Sequence, residues 1–196
     1  GALDHHVGNR KKMRILQEKN QEILKKYDTI IVNSAGCGAE LKAYDEPTFS
    51  NKVKDITEFL IEIEFKNPKI NSIEKKIYYD APCHLIHGQQ LVDQPKLLLN
   101  KSGFTILDNY DENLCCGAAG TYVLSNPEQS TQILQLKMDS IKKHSKIHSI
   151  VTINPGCQLQ LQKGCTENNI IVPVKHICEL LHEQYMYDQD FKNAFN

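Results

Sequence analysis

Four short apolar runs in this chain each lead to cysteine. Thr29-Ile-Ile-Val-Asn33 stops at Ser34-Ala-Gly-Cys37, Lys76-Ile-Tyr-Tyr-Asp80 runs into Ala81-Pro-Cys83, Phe104-Thr-Ile-Leu-Asp108 leads by a short loop to Cys115-Cys116, and Ser149-Ile-Val-Thr-Ile-Asn154 runs into Pro155-Gly-Cys157. Runs of this length and composition read as buried strands. Between them lie stretches of helical spacing: 9–26 with Asn9 as cap, 53–65, 84–101 with a break at Pro95, and 127–143 with Asn126 as cap and Pro127 at the first helical position. Ile170-Ile-Val-Pro-Val174 and a helix over about 175–186 close the chain. Strands alternating with helices predict an α/β fold with mainly parallel sheets and flanking helices. Ligands of such sheets gather beyond the carboxyl ends of the strands, and there all five of these cysteines fall.

The remaining composition narrows the chemistry. A formal net charge of -1 with scattered Lys and Arg gives no basic footprint for nucleic acid or for an anionic membrane surface. No apolar run is long enough to span a bilayer and no signal-peptide plan opens the chain, so a cytoplasmic protein is expected. In that reducing setting seven cysteines point to metal binding or redox chemistry ahead of disulfides. Adjacent residues such as Cys115 and Cys116 bridge each other only through a strained peptide. Cys165 and Cys178 read as small core hydrophobes, and the Lys-rich faces of 10–26 and 137–146 as solvated helix surface.

The chain opens on Gly1 without an initiator Met and reads as a piece of a longer polypeptide. Ile30-Ile-Val-Asn-Ser-Ala-Gly-Cys37 lies over Ile150-Val-Thr-Ile-Asn-Pro-Gly-Cys157 at an offset of 120 residues, and Gly1-Ala2 lies over Gly117-Ala118 in a register shifted by four. Two modules are therefore expected: the carboxyl part of one over 1–63 and a complete second over 72–190, joined through the Lys- and Asn-rich stretch 64–75, with a Cys-Cys pair before residue 1. Soft thiolate donors suit iron–sulfur clusters and zinc alike, and Cys83, Cys115, Cys116 and Cys157 are enough for either. Their spacing matches neither a ferredoxin nor a zinc finger.

The strings Cys83-His-Leu-Ile-His-Gly-Gln89, Leu114-Cys-Cys-Gly-Ala-Ala-Gly-Thr-Tyr122, Asn154-Pro-Gly-Cys-Gln-Leu-Gln160 and Val174-Lys-His-Ile-Cys178 resemble the cysteine-rich CCG domain family, in the form carried by iron–sulfur subunits of glycolate oxidase. Gly1 to Gly8 and Asn33 to Tyr44 resemble the first CCG module of the same subunits. The resemblance implies cluster ligation by Cys83, Cys115, Cys116 and Cys157, with Cys37 a ligand left from the first module and a 4Fe-4S cluster as the cofactor, zinc being the alternative. It gives supporting roles to His84, His87, Gly117 and Gly156. His5 and His6 flank the first site, and His176 reads as structural. Gln160 stands where the family's final Cys-x-x-Cys has its second cysteine, which leaves four thiolates and not five.

No dinucleotide fingerprint and no nucleophile–base pair stands out, so substrate chemistry is expected on another subunit. The resemblance implies an electron-transfer iron–sulfur subunit of a flavin-linked 2-hydroxy acid (glycolate) oxidase or dehydrogenase. Its partners would be an FAD-containing dehydrogenase subunit and a quinone or other acceptor, with peripheral association at the inner face of the membrane through the complex. A zinc-stabilised assembly module and a heterodisulfide-reductase-like thiol–disulfide subunit are the alternatives.

Overall fold

The computed structural model describes residues 1–66, 75–108 and 113–188. In chain order these form α1 (Ala2–His6), α2 (Arg10–Leu24), β1 (Ile30–Val32), α3 (Ala35–Lys42), α4 (Pro47–Ser50), β2 (Val53–Asp55), α5 (Ile56–Glu62) and β3 (Lys75–Tyr79). A π-helical turn (His84–Gly88) follows, then α6 (Asp93–Lys101), β4 (Phe104–Ile106), α7 (Tyr122–Ser125), α8 (Pro127–Lys142), β5 (Ser149–Thr152), α9 (Pro155–Glu167), β6 (Val174–His176) and α10 (Ile177–Tyr187). Every pairing is parallel: β1 with β2 in one sheet, and β4-β3-β5-β6 in that order in the other. The fold is thus the expected α/β arrangement of parallel sheets flanked by helices. The stretch expected to join two modules lies mostly outside the described residues.

Strand alternation feeds two cores on opposite faces of the larger sheet. Ile77 and Tyr79 of β3 join Val151, the α6 residues Leu98 and Leu99, and the α10 residues Leu180 and Leu181. Tyr78 points the other way, with Ile150, to Leu134, Met138 and Ile141 of α8 and Leu161 of α9. All four residues of β5 are buried, as a central strand covered by helices on both faces must be. A smaller third core of Ile30, Tyr44, Phe49 and Val53 holds β1 and β2. Helix α5 follows β2 in sequence, yet Ile56, Leu60 and Ile61 pack on the first core, so the amino-terminal part is fastened to the larger sheet.

Three expectations need correcting. The helix expected over 53–65 begins only at Ile56, because Val53–Asp55 pairs with β1 in the register Ile30 to Val53. Asp55 then caps α5: its Oδ1 accepts from Thr57 N at 2.9 Å, while Glu58 Oε2 accepts from Asp55 N at 2.8 Å. That capping box was legible as Asp55-Ile-Thr-Glu58. Pro95 does not interrupt its helix; it lies in the first turn of α6, where an amide hydrogen has no helical partner to lose. The real interruption precedes Asp93, after the π-helical turn closed by Gln89 N to His84 O at 3.0 Å. Finally, the strand expected over 170–174 begins at Val174, because Val174 pairs with Ile150 and β5 starts only one residue earlier.

Leu98 is 1% exposed between α6 and the sheet. Leu98→Ala is expected to lower the unfolding free energy by about 2–5 kcal/mol, read as a fall in the urea midpoint with an unchanged slope.

Candidate metal centre

β3 leads to β4 on one side of the sheet and β4 leads to β5 on the other, so the connections diverge between the carboxyl ends of β3 and β5. Parallel sheets open a crevice at such a point. Cys83, which opens the π-helical turn after β3, and Cys157, in the first turn of α9 after β5, stand on its two sides. The pair Cys115 and Cys116 reaches it from the loop before α7. Gly117 anchors that loop at φ +88°: its carbonyl accepts from Ser130 Oγ of α8 at 2.8 Å, and a Cβ at Gly117 would lie 2.5 Å from the Ser130 carbonyl oxygen. Only a glycine fits both demands.

The four sulfurs meet. Cys115 shares hydrogens with both Cys83 and Cys116, and Cys116 also with Cys157. These contacts drive the thiols apart in acidity. Hydrogen bonds from Cys116 and Cys83, with the Gly117 amide, push Cys115 strongly down, whereas donating to Cys115 pushes Cys83 and Cys116 up, with burial adding to both. Cys115 is therefore the most acidic of the three thiols in these contacts. Cys116 and Cys157 are buried, while Cys83 and Cys115 keep partial exposure, which gives the site one open edge. Among the described residues no three His, Cys, Asp or Glu donors converge around a single metal ion.

Polar hydrogens are aimed at these sulfurs. Gly117 N donates to Cys115 Sγ at 3.3 Å and Asn154 Nδ2 to Cys157 Sγ at 3.4 Å, and His84 Nδ1 lies 3.5 Å from Cys83 Sγ. Burial, then the neighbouring His6, holds the pKa of the His84 imidazole below its ordinary value. Gly156 lies against Asn154 and Ala118 beside the site. His87 is exposed at the end of the π-helical turn, so the structure brings His84 and not His87 to a sulfur. Gln160 is buried, its Nε2 donating to Ser130 Oγ at 3.0 Å, and so braces the Gly117 anchor.

The amino-terminal part closes over one side. His6 Nε2 lies 3.1 Å from His84 Nε2, and Asn154 Oδ1 accepts from Gly36 N at 3.3 Å and from Ser34 Oγ at 3.4 Å. Asn154 thus ties the start of α3 to the Cys157 sulfur, a role that nothing in the sequence pattern announced. Cys37 is exposed in the first turn of α3, apart from the hydrogen-sharing chain of the other four sulfurs. His5 turns to Glu40, 2.6 Å away. Cys165 packs into the second core, and Cys178, pushed up to about 11 chiefly by burial, packs against the first. His176 caps α10, accepting from Cys178 N at 3.2 Å.

The solvated face expected at Lys137 is overturned: this lysine is fully buried, its Nζ 2.9 Å from Asp80 Oδ1. Thr152 Oγ1 donates to Asp80 Oδ2 at 3.2 Å. The signal was present, since Leu134 and Ile141 flank Lys137 at three- and four-residue spacing and mark the buried stripe of α8. Asp80 gave no such signal, because a residue at a strand end reads as a turn.

Residues 77–162, which hold all four sulfurs, match the model of the cysteine-rich domain CCG. The chain carries a domain of the CCG cysteine-rich family. Relatives of this CCG chain include a fumarate reductase (CoM/CoB) subunit from Methanothermobacter marburgensis, 33% identical over 177 residues that cover 88% of the chain and 36% of that protein. The glycolate oxidase iron-sulfur subunit of Escherichia coli is 31% identical over 177 residues, covering 82% of the chain and 43% of the relative. A probable glycolate oxidase iron-sulfur subunit of Bacillus subtilis is 30% identical over 201 residues, covering 93% and 45%. The CCG chain therefore spans less than half the length of these relatives.

Gly117→Ala is expected to destabilise the protein by about 1–3 kcal/mol through the left-handed backbone, with the Ser130 contact adding to it. Thermal melting checks the loss, and a midpoint equal to wild type would show that the loop relaxes freely.

Proposed function

We propose that this CCG chain is the electron-transfer, iron–sulfur part of a flavin-linked 2-hydroxy acid oxidoreductase of the glycolate oxidase type, with a 4Fe-4S cluster held by Cys83, Cys115, Cys116 and Cys157. The observation that carries the reading is the contact of four thiols, drawn from three separate loops, at the crevice between β3 and β5. The donor set fits such a cluster: it is all sulfur, and it is met by amide and side-chain hydrogens. The names of the relatives, iron-sulfur subunits among them, support the same reading.

When bound, such a cluster supplies reversible one-electron chemistry. The residues of the chain prepare a place for it. Gly117 N and Asn154 Nδ2 offset negative charge on two of the sulfurs, the His84 ring lies beside a third, and the second core shields Cys116 and Cys157 from water. Cys83 and Cys115 form the open edge toward which a partner would present its donor or acceptor. The partners in this reading are an FAD-containing dehydrogenase subunit and a quinone or other acceptor, with the complex at the inner face of the membrane. No described helix is long and apolar enough to cross that membrane.

The reading extends to two modules, 1–63 and 72–190, with Cys37 a ligand of the first. Shared architecture supports it: apart from the short α4, which has no counterpart, β1-α3-β2-α5 and β5-α9-β6-α10 follow the same order, α5 and α10 both open on a capping box, and Lys54–Glu62 and Lys175–Glu183 form the same ion pair in each.

Anaerobically prepared protein is expected to contain iron and acid-labile sulfide. Cys115→Ser should reduce both to background while Cys165→Ser and Cys178→Ser retain them. Zinc without iron in the wild type, or unchanged iron in Cys115→Ser, would contradict the assignment.

A further inference from the structure

Lys137 and Asp80 form a buried ion pair that the ligand set does not use. Both side chains are essentially inaccessible, at 0% and 2% exposure. Burying two charges is expensive, and replacing such a pair by well-packed apolar groups is often neutral or stabilising. Fold stability alone is therefore a weak reason for it.

Its location supplies a better one. Asp80 follows β3, three residues before Cys83, and its N–H donates to Val151 O at 2.8 Å, which fixes it between the carboxyl ends of β3 and β5. Lys137 lies on the stripe of α8 that also carries Ser130, the anchor of Gly117. The pair thus lies at the strand ends from which the Cys83 and Cys157 segments depart. The ammonium acts on Cys115 and Cys116, and the carboxylate acts on both as well.

We propose that Lys137 is a positioning residue that sets the electron affinity of the thiolate-bound cluster through its charge, and that Asp80 holds its ammonium in place and partly offsets it. The inference rests on the cluster reading above. Four thiolates make the site strongly negative, and each electron accepted adds a further charge. In a buried, weakly screened setting a fixed ammonium favours the reduced form and a carboxylate opposes it. A pair that only builds the core carries no such sign.

The test measures the midpoint potential of the full chain loaded anaerobically with iron and sulfide, at mildly acidic pH where a buried ammonium keeps its proton. Asp80→Asn removes the negative charge and is expected to raise the potential above wild type. The double variant Lys137→Met with Asp80→Asn leaves a neutral pair that packs without a stranded charge, and its potential is expected to fall below that of Asp80→Asn. Iron content and the melting midpoint, measured alongside, report on structure. Equal potentials in all three proteins, or shifts of one sign that simply follow iron loss, would overturn the role of Lys137 while leaving the cluster reading intact. A wild type that takes up no iron and sulfide would overturn both.

Discussion

Four thiols brought into contact in a half-buried crevice cannot all ionise, because like charges at such range repel strongly where water is scarce. The structure resolves this by sharing hydrogens around Cys115. The proposed cluster would resolve it by replacing those hydrogens with metal. Much of the surrounding structure serves the same need: the left-handed turn at Gly117 frees an amide for Cys115, and Asn154 turns its amide toward Cys157.

The crevice depends on the order of the strands. β3 and β5 are neighbours in the sheet although α6, β4 and α8 intervene in sequence, and this brings residues 83 and 157 together. The amino-terminal part packs against the same site. Asn154 binds the start of α3, His6 approaches His84, and α5 packs on the core of the larger sheet.

Much of this was legible in the sequence because strands that end in cysteine leave a local mark. The α/β class, the central strands and the gathering of cysteines at strand ends follow from period and turn chemistry. Short elements were less visible. Val53–Asp55 reads as helix because its pairing with β1 is long-range, and residues 170–173 read as strand because only the start of β5 ends the pairing. At the site, the cysteines and Gly117 carry motif signals, whereas Asn154, Ser130 and Asp80 act through contacts between distant elements. Lys137 lies between: its charge argues for solvent, and only its spacing with Leu134 and Ile141 betrays burial.

The proposed joint hold of these four sulfurs on an iron–sulfur cluster is tested most directly by iron K-edge X-ray absorption of the anaerobically loaded chain. A cluster so held gives nearest neighbours of sulfur alone and a distinct iron–iron scattering path. A nitrogen- or oxygen-rich shell around isolated iron, with no iron–iron path, would contradict it.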